Sequence, residues 1–312
     1  MAKPKWDDGD GGAYLPPSSS LDFIASGCTV LDLVLGGGWP LGRIANIVGD
    51  KSTGKTLLAI EACANFVRAY PRGRILYAEA ESAFDLSYAR SLGLPERNID
   101  VVQDVDTVEA LFSLLGTFAD ARLKFGQPGL FVIDSLDALS DESEMGRAVG
   151  EGSYGTAKAK QMSQLFRRLV RKLERAKVAL MIISQVRDNI GVTFGRKYTR
   201  SGGRALDFYA SQVVYLAQIK MLNRTIDKVE RPVGVRVRAK CTKSKVSLPY
   251  RECEFDIKFG YGTDDVTACT DWLASVGAKP AKGLSADDLR ERVREEWAEI
   301  EAKFSPKERK YT

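Results

Sequence analysis

The sequence predicts an α/β fold: a mostly parallel central sheet flanked by helices, antiparallel strands at one edge, and a short helical C-terminal region. Two observations carry this. β-Branched apolar runs recur at 44–48, 75–78, 130–133, 178–183, 213–217, 233–237 and 253–259, and helical patterns separate the early ones, the alternation that parallel sheets require. The last three runs have no helical pattern between them and read as antiparallel additions. A glycine-rich turn also joins the first run to the helix-like segment LLAIEACANFV, the strand-turn-helix order of a phosphate loop.

Composition narrows the functional classes. The chain has 312 residues, 44% hydrophobic and 28% charged, enough for one large domain, or a domain with a small appendage, without covalent staples. Its five cysteines are scattered and it has no histidine. This argues for a reduced cytosolic protein and against structural zinc and histidine-based catalysis. The start, MAKPKWDDGDGGAYLPPSSS, has no apolar stretch of signal-peptide kind and no run of eighteen apolar residues follows, so secretion and membrane spanning are not expected. The net charge of +5 does not by itself indicate nucleic acid.

Taken in order, residues 1 to about 20 are rich in Gly, Pro, Ser and Asp and read as a flexible lead. The first strand runs into Gly49-Asp50-Lys51-Ser52-Thr53-Gly54-Lys55-Thr56, a complete G-x-x-x-x-G-K-[ST] motif. Glycines there let successive backbone N–H groups face a phosphate, and the helix starting near Gly54 adds its positive end. Lys55 would reach the β- and γ-phosphates and Thr56 would ligate Mg²⁺. The second strand ends in Glu79-Ala80-Glu81, two carboxylates on one strand face. Either could orient an attacking water, and position alone does not choose between them. The third strand ends in Asp134, suited to holding Mg²⁺ through water or holding Thr56 itself.

Basic residues cluster in two places. Arg167, Arg168, Arg171, Lys172, Arg175 and Lys177 crowd one helix, which a solvated face explains equally well. Arg187, Arg196, Lys197, Arg200 and Arg204 share a segment with Phe194, Tyr198 and several glycines, a mixture suited to phosphates and stacked bases. Near the C-terminus Leu289, Val293, Trp297, Ile300 and Phe304 form a helical stripe with Ser285 and Asp288 in capping-box positions, so that helix must pack on the core or on a neighbouring subunit.

Several stretches together resemble the bacterial RecA recombinases. They are IASGCTVLDLVLGGGWPLGRIANIVGDKSTGKT at 24–56, ESAFDLSYARSLG at 81–93, the run around Asp134-Ser135, and ISQVRDNIGVTFG at 183–195 followed by SGGRALDFYAS at 201–211. The likeness covers roughly 24–262 and looks like a phage-type or otherwise shortened member. It implies a RecA-like P-loop ATPase core over 23–262, after a flexible segment 1–22 and before a small helical region 263–312.

By position, the resemblance implies Glu81 as the residue that activates water, with Lys55 and Gln185 completing the catalytic set. Asp85 and Tyr88 would contact the adenine, and Gln185 would sense the γ-phosphate and signal to the loop after it. That loop, 187–204, would be the second DNA-binding loop, with Arg187, Phe194, Arg196, Gly202, Gly203 and Arg204 at the DNA. Arg204 stands where RecA has asparagine and Asp188 adds a negative charge. The first DNA loop would be 145–157, and Arg167 matches a phosphate contact. Lys243 and Lys245 match a Lys-x-Lys that reaches the neighbour's ATP.

The implied protein is a cytoplasmic, DNA-dependent ATPase using ATP and Mg²⁺, filamentous on single-stranded DNA and active on a homologous duplex. The family begins with a helix and strand that dock on the adjacent subunit, whereas fewer than about 25 residues precede this core, so Tyr14-Leu15-Pro16 or the C-terminal stripe is expected to join subunits. The family's acidic tail has no counterpart in Lys307-Glu308-Arg309-Lys310, implying less restrained DNA binding. Two rivals use the same ATPase core: a ring-forming helicase or translocase, and an accessory DNA-binding ATPase that forms no filament.

Overall fold

A strand whose successive residues are all apolar must be covered on both faces, and the central strands of this chain are of that kind. The computed structural model describes residues 21–80, 84–140, 155–188, 198–199, 203–278 and 283–304. The strands are β1 (Phe23–Ile24), β2 (Trp39–Pro40), β3 (Ile44–Gly49), β4 (Arg74–Glu79), β5 (Ile99–Val102), β6 (Gly129–Asp134), β7 (Val178–Gln185), β8 (Arg187–Asp188), β9 (Tyr198–Thr199), β10 (Gln212–Ile226), β11 (Val229–Ser244), β12 (Glu252–Lys258) and β13 (Gly262–Thr263). The helices are α1 (Thr29–Leu35), α2 (Lys55–Ala69), α3 (Leu86–Ser91), α4 (Val108–Phe125), α5 (Gly155–Ala176), α6 (Gly203–Tyr209), α7 (Asp265–Ser275) and α8 (Ala286–Phe304).

Nine strands form one sheet in the order β13-β12-β11-β10-β3-β7-β6-β4-β5. From β5 to β10 every neighbouring pair is parallel, and from β10 to β13 every pair is antiparallel. Side-chain alternation divides the interior into two layers. Ala45, Ile47, Ile75, Tyr77, Leu130 and Val132 pack with α1 and α2 on one face. Ile44, Val48, Leu76, Ala78, Phe131 and Ile133 pack with α4 and α5 on the other.

The α/β class and mostly parallel sheet are those expected, with two corrections. The run at 213–217 is not antiparallel to the core: β10 lies parallel to β3, with Val214 opposite Ile47. The short helix α6, unmarked in a glycine-rich basic segment, supplies the crossover that a parallel entry needs. The four-residue edge strand β5 was not anticipated. Beyond Leu216, β10 leaves β3 and continues with β11 alone as an exposed ribbon closed at Asp227 and Lys228. Both turn residues have positive φ, +48° and +65°, as a tight hairpin of matching twist requires.

The C-terminal stripe packs on this chain's own core. Leu289 and Val293 are buried, Trp297 lies against the core and 5.5 Å from the Trp272 ring, and Phe304 is exposed. Ser285 caps α8, its hydroxyl accepting from the Asp288 backbone N–H at 3.2 Å. Asp265 ties α7 and α8 to α1, accepting from the Thr29 N–H at 2.6 Å, the Thr29 hydroxyl at 3.2 Å and the Arg290 guanidinium at 2.7 Å. All five cysteines are unpaired and buried. Among the described residues no helix is long and apolar enough to cross a membrane.

One half-buried acid, Asp32, makes stability depend on pH. Burial pushes the Asp32 carboxyl up to about 7; hydrogen bonds from Ser26 oppose this, the Asp265 charge adds to it, and Arg294 counters it. The folded value exceeds the ordinary one near 4, so between those pH values the folded chain binds the extra proton and stability falls as pH rises, levelling above about 7. In Asp32→Asn, which keeps an oxygen for the Ser26 N–H, the drop in urea midpoint between pH 5 and pH 8 is expected to shrink. An unchanged drop would assign the dependence to other groups.

Candidate functional site

The turn after β3 is built so that only glycine fits at two points. A Cβ on Gly49 would lie 2.7 Å from the Thr53 hydroxyl and 2.8 Å from the Leu216 carbonyl, and one on Gly54 would lie 2.2 Å from Ile257 Cδ1. Gly54 has φ +87° and starts α2, whose first turn carries no acidic residue and whose N-cap makes no side-chain bond. Its first N–H groups are therefore not taken up by a carboxylate of the turn's own residues or by a capping side chain, the condition for holding an anion. Inside the loop Lys55, 8% exposed as a residue, donates from its ammonium to the Asp50 carbonyl at 2.6 Å, and the Thr53 hydroxyl donates to the same oxygen at 2.9 Å. Asp50, Lys51 and Ser52 are exposed on the outer side.

Asp134, at the end of β6 and 8% exposed, faces the first turn of α2. Its Oδ2 accepts from the Thr56 hydroxyl at 2.8 Å, a pair separated by 78 residues of sequence. The same oxygen accepts from the Tyr77 hydroxyl at 2.7 Å. Tyr77 sits on β4, fully buried, with its ring 4.5 Å from that of Phe84. Burial raises its phenol well above the ordinary range and the Asp134 charge raises it further, so it stays a donor. The sequence signal for Tyr77 was weak: one hydroxyl in a strand that otherwise reads as core.

The donor set suits a hard divalent cation. Thr56 and Asp134 offer oxygen, and among the described residues no three His, Cys, Asp or Glu side chains cluster. That fits Mg²⁺ held by one carboxylate, one hydroxyl and phosphate oxygens. Glu79 lies opposite Asp134 in register and is 4% exposed. Glu81 lies outside the described residues.

The third strand at this edge is β7. Gln185 ends it opposite Gly49, and its N–H donates to Asp137 at 2.8 Å. The Val186 N–H reaches the Gly49 carbonyl at 3.4 Å. The phosphate loop, Asp134, Asp137 and Gln185 therefore gather at the carboxyl ends of neighbouring parallel strands, where α/β sheets bind ligands.

The model of the RecA N-terminal domain matches residues 15–264. The chain belongs to the RecA family. It is 37% identical to the protein RecA of Streptomyces avermitilis over 247 residues, 79% of this chain and 62% of the relative. It is 38% identical to that of a Nocardioides species over 243 residues, 78% and 66% respectively. Against that of Prochlorococcus marinus the figures are 34% over 263 residues, 84% and 67%. The chain thus spans less than two thirds of the length of the first two relatives.

The RecA match takes in every candidate residue, but the structure does not gather them all at one point. Asp85 caps α3, accepting from the Ser87 and Tyr88 N–H groups at 2.8 and 3.1 Å, and Tyr88 is half-buried beside it. Lys243 and Lys245 lie at the opposite end of the sheet from this chain's own phosphate loop: Gln212 pairs with Ser244 on one side and with Ala45 on the other. There the Lys243 ammonium donates to the Asp207 and Phe208 carbonyls and that of Lys245 to Phe208 at 2.9 Å. Both cap the C-terminal end of α6, where cations are favoured, a role the sequence did not reveal.

Of the DNA-contact residues implied by the RecA resemblance, Arg167 is exposed on α5 beside Arg168, Arg171 and Arg175. Lys172 on that helix is bound to Asp120 at 2.8 Å. The segment after Gln185 opens with β8, where Arg187 and Asp188 pair with Thr199 and Tyr198 of β9, and it closes with Gly203 and Arg204 at the start of α6. Phe194, Arg196 and Gly202 lie outside the described residues, as do 145–154 of the first loop.

Proposed function

We propose that this chain is an ATP-dependent DNA recombinase. It binds ATP with Mg²⁺ between neighbouring subunits, forms a helical filament on single-stranded DNA in the cytoplasm, and pairs that strand with a homologous duplex. The observation that carries this reading is the shared edge: Thr56 bonded to Asp134, with Gln185 beside Gly49 at the mouth of the segment implied to hold DNA.

In this reading Lys55 and the first-turn amides of α2 hold the phosphates. Thr56 and Asp134 hold Mg²⁺, which when bound offsets phosphate charge. Glu81 orients the attacking water and takes its proton. Gln185 hydrogen-bonds the terminal phosphate with its amide and pulls on the loop that follows, and Lys243 and Lys245 reach the neighbour's nucleotide, so nucleotide state biases the whole assembly. Asp85 and Tyr88 hold the base. Arg167, Arg187, Phe194, Arg196, Gly202, Gly203 and Arg204 hold DNA.

ATP hydrolysis with and without single-stranded DNA tests the reading. DNA should raise the rate of the unaltered chain, and Glu81→Gln should lower it by about a hundredfold or more. Electron micrographs with ATP and single-stranded DNA should contain filaments, and strand exchange should follow. No stimulation together with persistent monomers would favour the accessory protein; unwinding without homologous pairing would favour the helicase.

A further inference from the structure

The Asp134 carboxylate is gripped by one oxygen from two directions. The Thr56 hydroxyl comes from α2 at 2.8 Å and the Tyr77 hydroxyl from β4 at 2.7 Å, both to Oδ2. The two donors differ in what else they must do. Thr56 sits on the loop helix and in the proposed function turns its oxygen to Mg²⁺, so its bond to Asp134 is the one that ligation perturbs. Tyr77 has no such task, and its ring is fixed by full burial, by Phe84 at 4.5 Å and by the pairing of β4 with β6. A carboxylate's terminal torsion is soft and broad, so a buried, fixed donor on one oxygen narrows the orientations the group can take. We infer that Tyr77 is a positioning residue for the metal site: its hydroxyl holds the Asp134 carboxylate in the orientation that meets Mg²⁺ beside the phosphate loop. The inference rests on the proposed nucleotide-binding function and extends it to a residue that touches neither nucleotide nor metal.

Outer partners that orient a ligating group typically change metal affinity by ten- to a hundredfold when removed. Tyr77→Phe deletes one oxygen, keeps the ring against Phe84, and leaves Asp134 with its Thr56 bond, so the fold should survive. The probe is Mn²⁺, followed by electron paramagnetic resonance as it binds the full chain saturated with ADP. A fluorescent ADP titration without metal and a melting curve run beside it. Tyr77→Phe is expected to weaken Mn²⁺ binding about tenfold while metal-free ADP affinity stays within about twofold. The Mg²⁺ concentration for half-maximal hydrolysis should rise by the same factor as Mn²⁺ binding weakens. Unaltered Mn²⁺ binding with only a lowered melting temperature would make Tyr77 a packing residue and overturn the assignment alone. Failure of the unaltered chain to bind ADP and Mn²⁺ would overturn the functional reading and the assignment together.

Discussion

Lys55→Ala is expected to lose ATP hydrolysis by a factor of a hundred to a thousand, the cost typical of removing one preorganised charge-stabilising group. The structure separates this from a folding defect. The ammonium lies inside the loop on the Asp50 carbonyl, which keeps its bond from Thr53 in the variant. Lys55 is also the first residue of α2, where alanine is an excellent helix former. The melting temperature should move little while ATP binding and turnover collapse, a pattern that a generally destabilised chain would not give. Turnover within tenfold of the unaltered chain would place the chemistry elsewhere.

Asp265→Ala is expected to cost about 2 to 3 kcal/mol of stability, somewhat below the usual cost of stranding a buried charge. Two facts set the size. The Asp265 side chain is only 11% exposed and takes four donors, two from Thr29 and one each from Cys269 and Arg290, so its loss strands the Thr29 N–H. Arg290 is 35% exposed and keeps its bond to Asp287, so its charge is relieved by solvent, which argues for the lower part of the range. The urea midpoint should fall without a change of slope, and tryptophan fluorescence should report looser packing of Trp272 on Trp297. A loss below about 0.5 kcal/mol, the level of an ordinary surface change, would mean that the apolar contacts of α7 and α8 suffice without the ion pair.

The sequence made some of this legible because the relevant residues are contiguous. Gly49 to Thr56 is one turn with its own stereochemical demands, and the buried run ending in Asp134 was readable as a strand-end acid, so the meeting of Thr56 and Asp134 could be anticipated. Runs covered on both faces identified the parallel strands. What escaped depends on distant partners. Nothing in the run 213–217 says that it lies beside β3, because direction is set by a crossover helix only seven residues long. Tyr77 looked like core because its partner is 57 residues away. Lys243 and Lys245 were read from their resemblance alone, and their bonds to the Asp207 and Phe208 carbonyls have no periodicity to betray them. Glu79 and Glu81, two apart on one strand, could not be told apart from position.

The strand order has a consequence for how the chain acquires its site. β3 is made early, yet neither of its neighbours is close in sequence: Asn46 binds Ile182 across 136 residues, and β10 follows later still. The next strand made, β4, lies three places away, beyond β7 and β6. At about 5 to 20 residues per second, a ribosome leaves the phosphate loop without its flanking strands for roughly ten seconds, and closing such long-range parallel pairings is intrinsically slow. A nascent chain stalled before Gln185 should expose its β3 segment to chaperones and protease. Capture of a fluorescent nucleotide should begin only once β7 and β10 have emerged, which makes nucleotide binding a clock for the completion of the fold.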